Sequence, residues 1–104
     1  MTPEKKVQNN IIEYLEELIE KGYPVFYERR QAGGFSYKKG IPDLYAVING
    51  IHLEIEVKAI NGKLSILQEK FKNKCKKLNI LYVCSNSIEN FKNFIALNFK
   101  MISL

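Results

Sequence analysis

The chain has 104 residues, 16 of them Lys or Arg against 11 Asp or Glu, for a net charge of +5. That length suits one domain spanning residues 1–104 and excludes two full cores. No apolar run approaches the roughly 18 residues a bilayer span needs, and Met1 to Lys6 leads into a charged amphipathic pattern rather than a signal core, so a soluble protein of the cytoplasm is expected. Cys75 and Cys84 lack metal-ligand spacing, and His52 is the single imidazole, which excludes a zinc site. Both cysteines read as buried, reduced packing residues. The basic balance favours an anionic partner, with nucleic acid first.

Thr2 caps a helix with Pro3 at its first position, and Val7, Ile11, Tyr14 or Leu15, and Leu18 repeat at helical spacing until Gly22. Pro24 to Arg30 reads as a strand, followed by a basic loop, Gln31 to Gly40, with Phe35, Tyr37, Lys38 and Lys39. Asn49-Gly50 is a two-residue hairpin turn, since both residues tolerate positive φ; it joins strands over Leu44–Ile48 and Ile51–Lys58. Their inward face carries Leu44, Ala46, Ile48, Leu53, Ile55 and Val57. Ser65 and Gln68 form a capping box opening a second helix with Leu67, Phe71, Cys75 and Leu78 inward and lysines outward. Asn79 or Ile80 to Cys84 suits a buried strand parallel to a neighbour, and Ser87 starts a third helix with Ile88, Phe91, Phe94 or Ile95, and Leu97. The order α-β-β-β-α-β-α implies an α/β fold, a mixed sheet flanked by helices.

The hairpin register places chemistry. Pairing Ile48 with Ile51 and stepping outward couples Ala46 with Leu53, Leu44 with Ile55, and Asp43 with Glu56. Directly opposed carboxylates, with Cβ atoms about 4.5 to 5.5 Å apart, destabilise a sheet unless a cation lies between them. Alternation sends His52, Glu54, Glu56 and Lys58 to one face, so an ammonium accompanies the acids. His52 sits about 20 Å along the strand from Lys58, too far to share its chemistry. Glu54 would replace Glu56 if the turn were a bulged three-residue one.

The element order, with Thr2, Pro3, Glu4, Val7 and Gln8 at the start, Gly40-Ile41-Pro42-Asp43-Leu44 entering the second strand, Glu56-Val57-Lys58 in the third, and Leu64, Ser65 and Gln68 beyond, resembles the restriction-endonuclease-like PD-(D/E)XK nucleases. More narrowly it is similar to a stand-alone VRR-NUC domain, the compact type often carried by phages and mobile elements. The resemblance implies phosphodiester hydrolysis with Mg²⁺ or Mn²⁺, structure-selective cleavage of branched DNA such as four-way (Holliday) junctions, and a homodimer. No small-molecule cofactor and no membrane partner are expected.

By that resemblance Asp43 and Glu56 hold the metal with the Val57 backbone carbonyl, Glu4 completes the site directly or through water, and Lys58 assists the attacking water or the transition state. Gln8 either touches the site or is solvated. Gln68 has two readings, active-site orientation and the cap itself. Arg29, Arg30, Lys38, Lys39, Lys63, Lys70 and Lys74 are candidate phosphate contacts, each with the alternative of a solvated basic face. Phe91, Phe94 and Phe99 offer apolar surface for a second copy. Two rival functions remain at this level: a nucleic-acid-binding module without turnover in a larger complex, and an interaction domain whose acid pair binds a stabilising cation.

Overall fold

Each helix begins where a side chain satisfies orphaned backbone groups. The computed structural model describes residues 1–30 and 40–100. Helix α1 (Pro3–Glu20) opens on Thr2, whose side chain accepts from the Lys5 N–H, with Pro at its first position. Helix α2 (Ile66–Lys77) carries the full Ser65–Gln68 capping box, and α3 (Ile88–Asn98) is capped by Ser87. Asn49 and Gly50 take φ values of 51° and 79°, as a two-residue hairpin turn requires.

The four strands are β1 (Val25–Arg29), β2 (Leu44–Ile48), β3 (Ile51–Val57) and β4 (Leu81–Ser85), arranged β1-β2-β3-β4. The first three are antiparallel neighbours, and β4 joins β3 in parallel after the α2 crossover. The register is the one expected: Ile48 faces Ile51, Ala46 faces Leu53, and Leu44 faces Ile55. This is a mixed sheet flanked by helices in the order α-β-β-β-α-β-α. On one face Leu44, Ala46, Ile48, Leu53, Ile55, Val57 and Val83 pack with Ile11, Leu15 and Leu18 of α1 and Phe91 and Ile95 of α3. Across the sheet, α2 lays Phe71 against Tyr82, with ring centroids 6.4 Å apart.

Several side chains sit elsewhere than helical spacing suggests. Leu67 and Leu78 are exposed, leaving Cys75 as the buried residue of α2. Cys84 is exposed while Cys75 is buried, and both are free thiols. Leu97 is 80% exposed. Phe91 and Phe99 lie inside the chain's own core, with Phe94 packed partly against it, so these three rings do not form the self-association surface that the sequence suggests. No helix among the described residues is long and apolar enough to cross a membrane.

Phe91 is fully buried at the junction of α1 and α3, where its ring meets Tyr14 edge-on at 6.1 Å. Truncation leaves a cavity that rigid neighbours close only in part, so Phe91→Ala should cost about 3–5 kcal/mol in denaturant unfolding. Leu97→Ala, on the solvent side of the same helix, should stay within about 0.5 kcal/mol.

Candidate active site

β3 is covered on both faces, and the face under α2 carries carboxylates. Glu54 and Glu56 are only 4% and 7% exposed. Burying a carboxylate costs several kcal/mol unless it is paired, so each must be accounted for.

Glu54 is compensated. Arg30, just beyond β1, donates from Nη1 and Nη2 to its two oxygens at 2.7 Å each, and His52 Nε2 lies 2.5 Å from Oε2. Burial alone would raise this carboxyl, and the hydrogen bonds and charges of Arg30 and His52 outweigh it, holding Glu54 below its ordinary 4.5. Arg30 also stacks over Tyr45 at 4.7 Å, and Tyr45 stacks on His52 at 5.0 Å. The same guanidinium donates to the Pro42 carbonyl at 2.7 Å, while the Arg30 N–H donates to the Asp43 carbonyl at 2.6 Å. Arg30 therefore ties the Pro42-Asp43 backbone to a buried carboxylate. That is a different position from the open phosphate contact expected for it.

Glu56 has no such partner. Its Oε1 is buried without a hydrogen bond. Burial pushes the carboxyl up to about 7; Lys58 works against the rise, while the charges of Asp43 and Glu4 add to it. Glu56, Asp43, Glu4 and Lys58 thus sense one another electrostatically. Asp43 lies one residue before β2, so the acid pair falls just outside the strand ladder rather than within it. Beside it opens a cleft of about 430 Å³ lined by Thr2, Pro3, Glu4, Lys5, Gln8, Asp43 and Ala59.

Among the described residues no three His, Cys, Asp or Glu side chains converge closely enough to hold a metal ion. The donors at this end of the sheet are nevertheless hard oxygens, and one of them is orphaned. Such a set suits Mg²⁺ or Mn²⁺, which commonly rest on one or two carboxylates and take their remaining oxygens from water and a substrate phosphate.

The other candidates separate by position. Gln68 accepts the Ser65 N–H at 2.8 Å, the contact of the cap. Lys63, Lys70 and Lys74 are exposed in and beside α2. Arg29 reaches Gln8 at 3.4 Å. Lys38 and Lys39, with Phe35 and Tyr37, lie outside the described residues. Sequence reasoning passed over Lys5 on the cleft wall, and took Cys84, which the parallel register sets beside Glu56, for a buried packing residue. Tyr82 was missed too; its hydroxyl is buried without a partner and its pKa is raised by burial and by Glu56.

A solved structure described as a VRR_NUC domain superposes with a TM-score of 0.71 at 19% sequence identity, over 95% of this chain and 99% of that one. The chain therefore has the fold of a VRR_NUC domain, the restriction-endonuclease-like arrangement expected from its element order. No protein-family profile and no curated protein matches the sequence.

The two buried acids tilt stability in opposite directions. Glu56 binds its proton more tightly folded, up to about 7, than at its ordinary 4.5, so stability of the metal-free protein falls as pH rises through that window. Glu54 binds its proton less tightly folded, so its contribution is present above pH 4.5 and is lost as pH falls through its lower folded value. Unfolding followed from pH 8 down to 4 in EDTA should show stability gained between pH 7 and 5 in the wild type. That gain, of order 1–3 kcal/mol, should disappear in Glu56→Gln. Glu54→Ala should cost about 1–3 kcal/mol at neutral pH by removing the two-pronged carboxylate partner of the Arg30 guanidinium.

Proposed function

We propose that this chain is a Mg²⁺- or Mn²⁺-dependent endonuclease that hydrolyses DNA phosphodiester bonds, with preference for branched substrates such as four-way junctions. The observation that carries the reading is Glu56, a buried carboxylate with an unsatisfied oxygen, surrounded by the charges of Asp43, Glu4 and Lys58. The likeness to a VRR_NUC domain, whose name denotes a nuclease, supports it.

In this reading Asp43 and Glu56 hold the ion with the Val57 carbonyl, and Glu4 contributes directly or through water. A bound divalent ion supplies polarisation of the scissile phosphate and acidification of the attacking water. Lys58 follows Val57 at the end of β3, with its N–H fixed on the Ser85 carbonyl at 3.0 Å. Its ammonium offsets the negative charge that grows on the phosphoryl oxygens as the water oxygen bonds to phosphorus. The P–O3′ bond breaks, leaving a 3′-hydroxyl and a 5′-phosphate. Arg30 keeps the backbone of Asp43 in place throughout, since it holds both neighbouring carbonyls. The exposed lysines Lys63, Lys70 and Lys74 supply backbone attraction, which carries no base sequence information. A two-fold dimer would meet the two equivalent strands of a four-way junction together.

Linear, flapped and four-way DNA incubated with purified protein, with and without Mg²⁺ or Mn²⁺, tests the reading. Cutting should require the ion and fall at least about 100-fold in Asp43→Ala and in Lys58→Ala, with DNA binding retained in both. Salt-sensitive binding by a wild type that cuts none of these substrates would instead establish a docking module without turnover.

A further inference from the structure

Beside the cleft two cations, Lys5 from its α1 wall and Arg29 from the end of β1, converge on one neutral atom. Gln8, on α1, is 8% exposed. Its Oε1 accepts from Lys5 Nζ at 3.3 Å and from Arg29 Nη2 at 3.4 Å. The described salt bridges both end on Glu54, so neither Lys5 nor Arg29 has a carboxylate partner within salt-bridge distance among the described residues. Two like charges drawn toward one amide oxygen repel each other, and an uncharged acceptor relieves little of that repulsion. A monoanion resting between them would relieve it. Lys5 and Gln8 line the same cleft as Asp43, so that anion would lie beside the proposed cutting centre. A phosphodiester fits, having one charge and two free oxygens that accept from an ammonium and a guanidinium together.

We propose that Lys5 and Arg29, held in place by Gln8, form a subsite for a DNA backbone phosphate next to the bond that is cut. Lys5 and Arg29 contact the phosphate; Gln8 is a positioning residue that fixes both cations from beneath. The site is independent of the divalent ion, although it rests on DNA being the substrate of the proposed function.

Binding of a short labelled duplex in EDTA, titrated against salt, tests this without any cutting. Lys5→Gln and Arg29→Gln should each flatten the slope of log K against log salt by about 0.9 and weaken binding several-fold. Gln8→Leu, which keeps both charges and frees them, should weaken binding with the slope unchanged. Lys21→Gln, at the far end of α1, is the control for net charge and should leave the slope as in the wild type. Wild-type slopes in Lys5→Gln and Arg29→Gln, or an equal loss in Lys21→Gln, would overturn the subsite. A wild type that never cuts DNA would sink the nuclease reading and leave this measurement intact, whereas unchanged slopes in a protein that cuts would sink the subsite alone.

Discussion

Two carboxylates buried two residues apart on one strand set the constraint that organises this molecule. β3 lies between antiparallel β2 and parallel β4, with the α1–α3 core on one face and α2 over the other. A strand so placed is normally apolar on both faces. Glu54 and Glu56 break that rule, and the surrounding structure answers them differently. Glu54 receives a two-pronged guanidinium, an imidazole and a net fall in pKa. Glu56 receives an orphaned oxygen and a rise to about 7.

The compensated acid does more than satisfy itself. Arg30 can hold Glu54, the Pro42 carbonyl and, through its own N–H, the Asp43 carbonyl because β1 ends one residue before it, opposite the start of β2. The other side of the same segment is fixed by packing. Gly40 takes φ +90°, and a Cβ there would sit 2.6 Å from the Leu67 carbonyl oxygen, so the chain can pass the first turn of α2 only as glycine. Asp43 is thus delivered by a short rigid stretch held from both directions. The cost of burying Glu54 is spent on placing another carboxylate.

Local rules made much of this readable from the residues. The Asn49-Gly50 turn fixed the hairpin register, because one residue of slippage would have turned every core side chain outward. Thr2, Ser65 and Ser87 announced their helices for the equally local reason that a cap bonds within three residues. What spacing does not carry is depth. Leu67 and Leu78 have positions compatible with the inward face of α2 yet are 45% and 56% exposed, whereas Leu97, two residues past the buried Ile95, points away from the core. The Arg30–Glu54 pair escaped because its members are 24 residues apart and join across β2, a contact no periodicity encodes. Stepping the register out to Asp43 went one residue past the ladder, since the chain at Pro42 is held by Arg30 rather than by strand pairing alone.

The contrast between the two acids also bears on which function the chemistry favours. A domain serving only as a basic docking surface gains nothing from a carboxylate at position 56. Glutamine there would keep the shape, donate as well as accept, and avoid the desolvation that raises this group so far. Glu54 shows that the same strand face can supply a cation to a buried acid where structure is the purpose. At Glu56 the largest offset to burial is the charge of Lys58, helped by a backbone hydrogen bond from Val57, and two further acids oppose it. A site that gathers negative charge at the edge of a cleft, next to two cations on Gln8 that have no carboxylate partner among the described residues, is poorly designed for resting alone in water. In the proposed reading a hard cation and a phosphate arrive together, and each neutralises what the other would find repulsive.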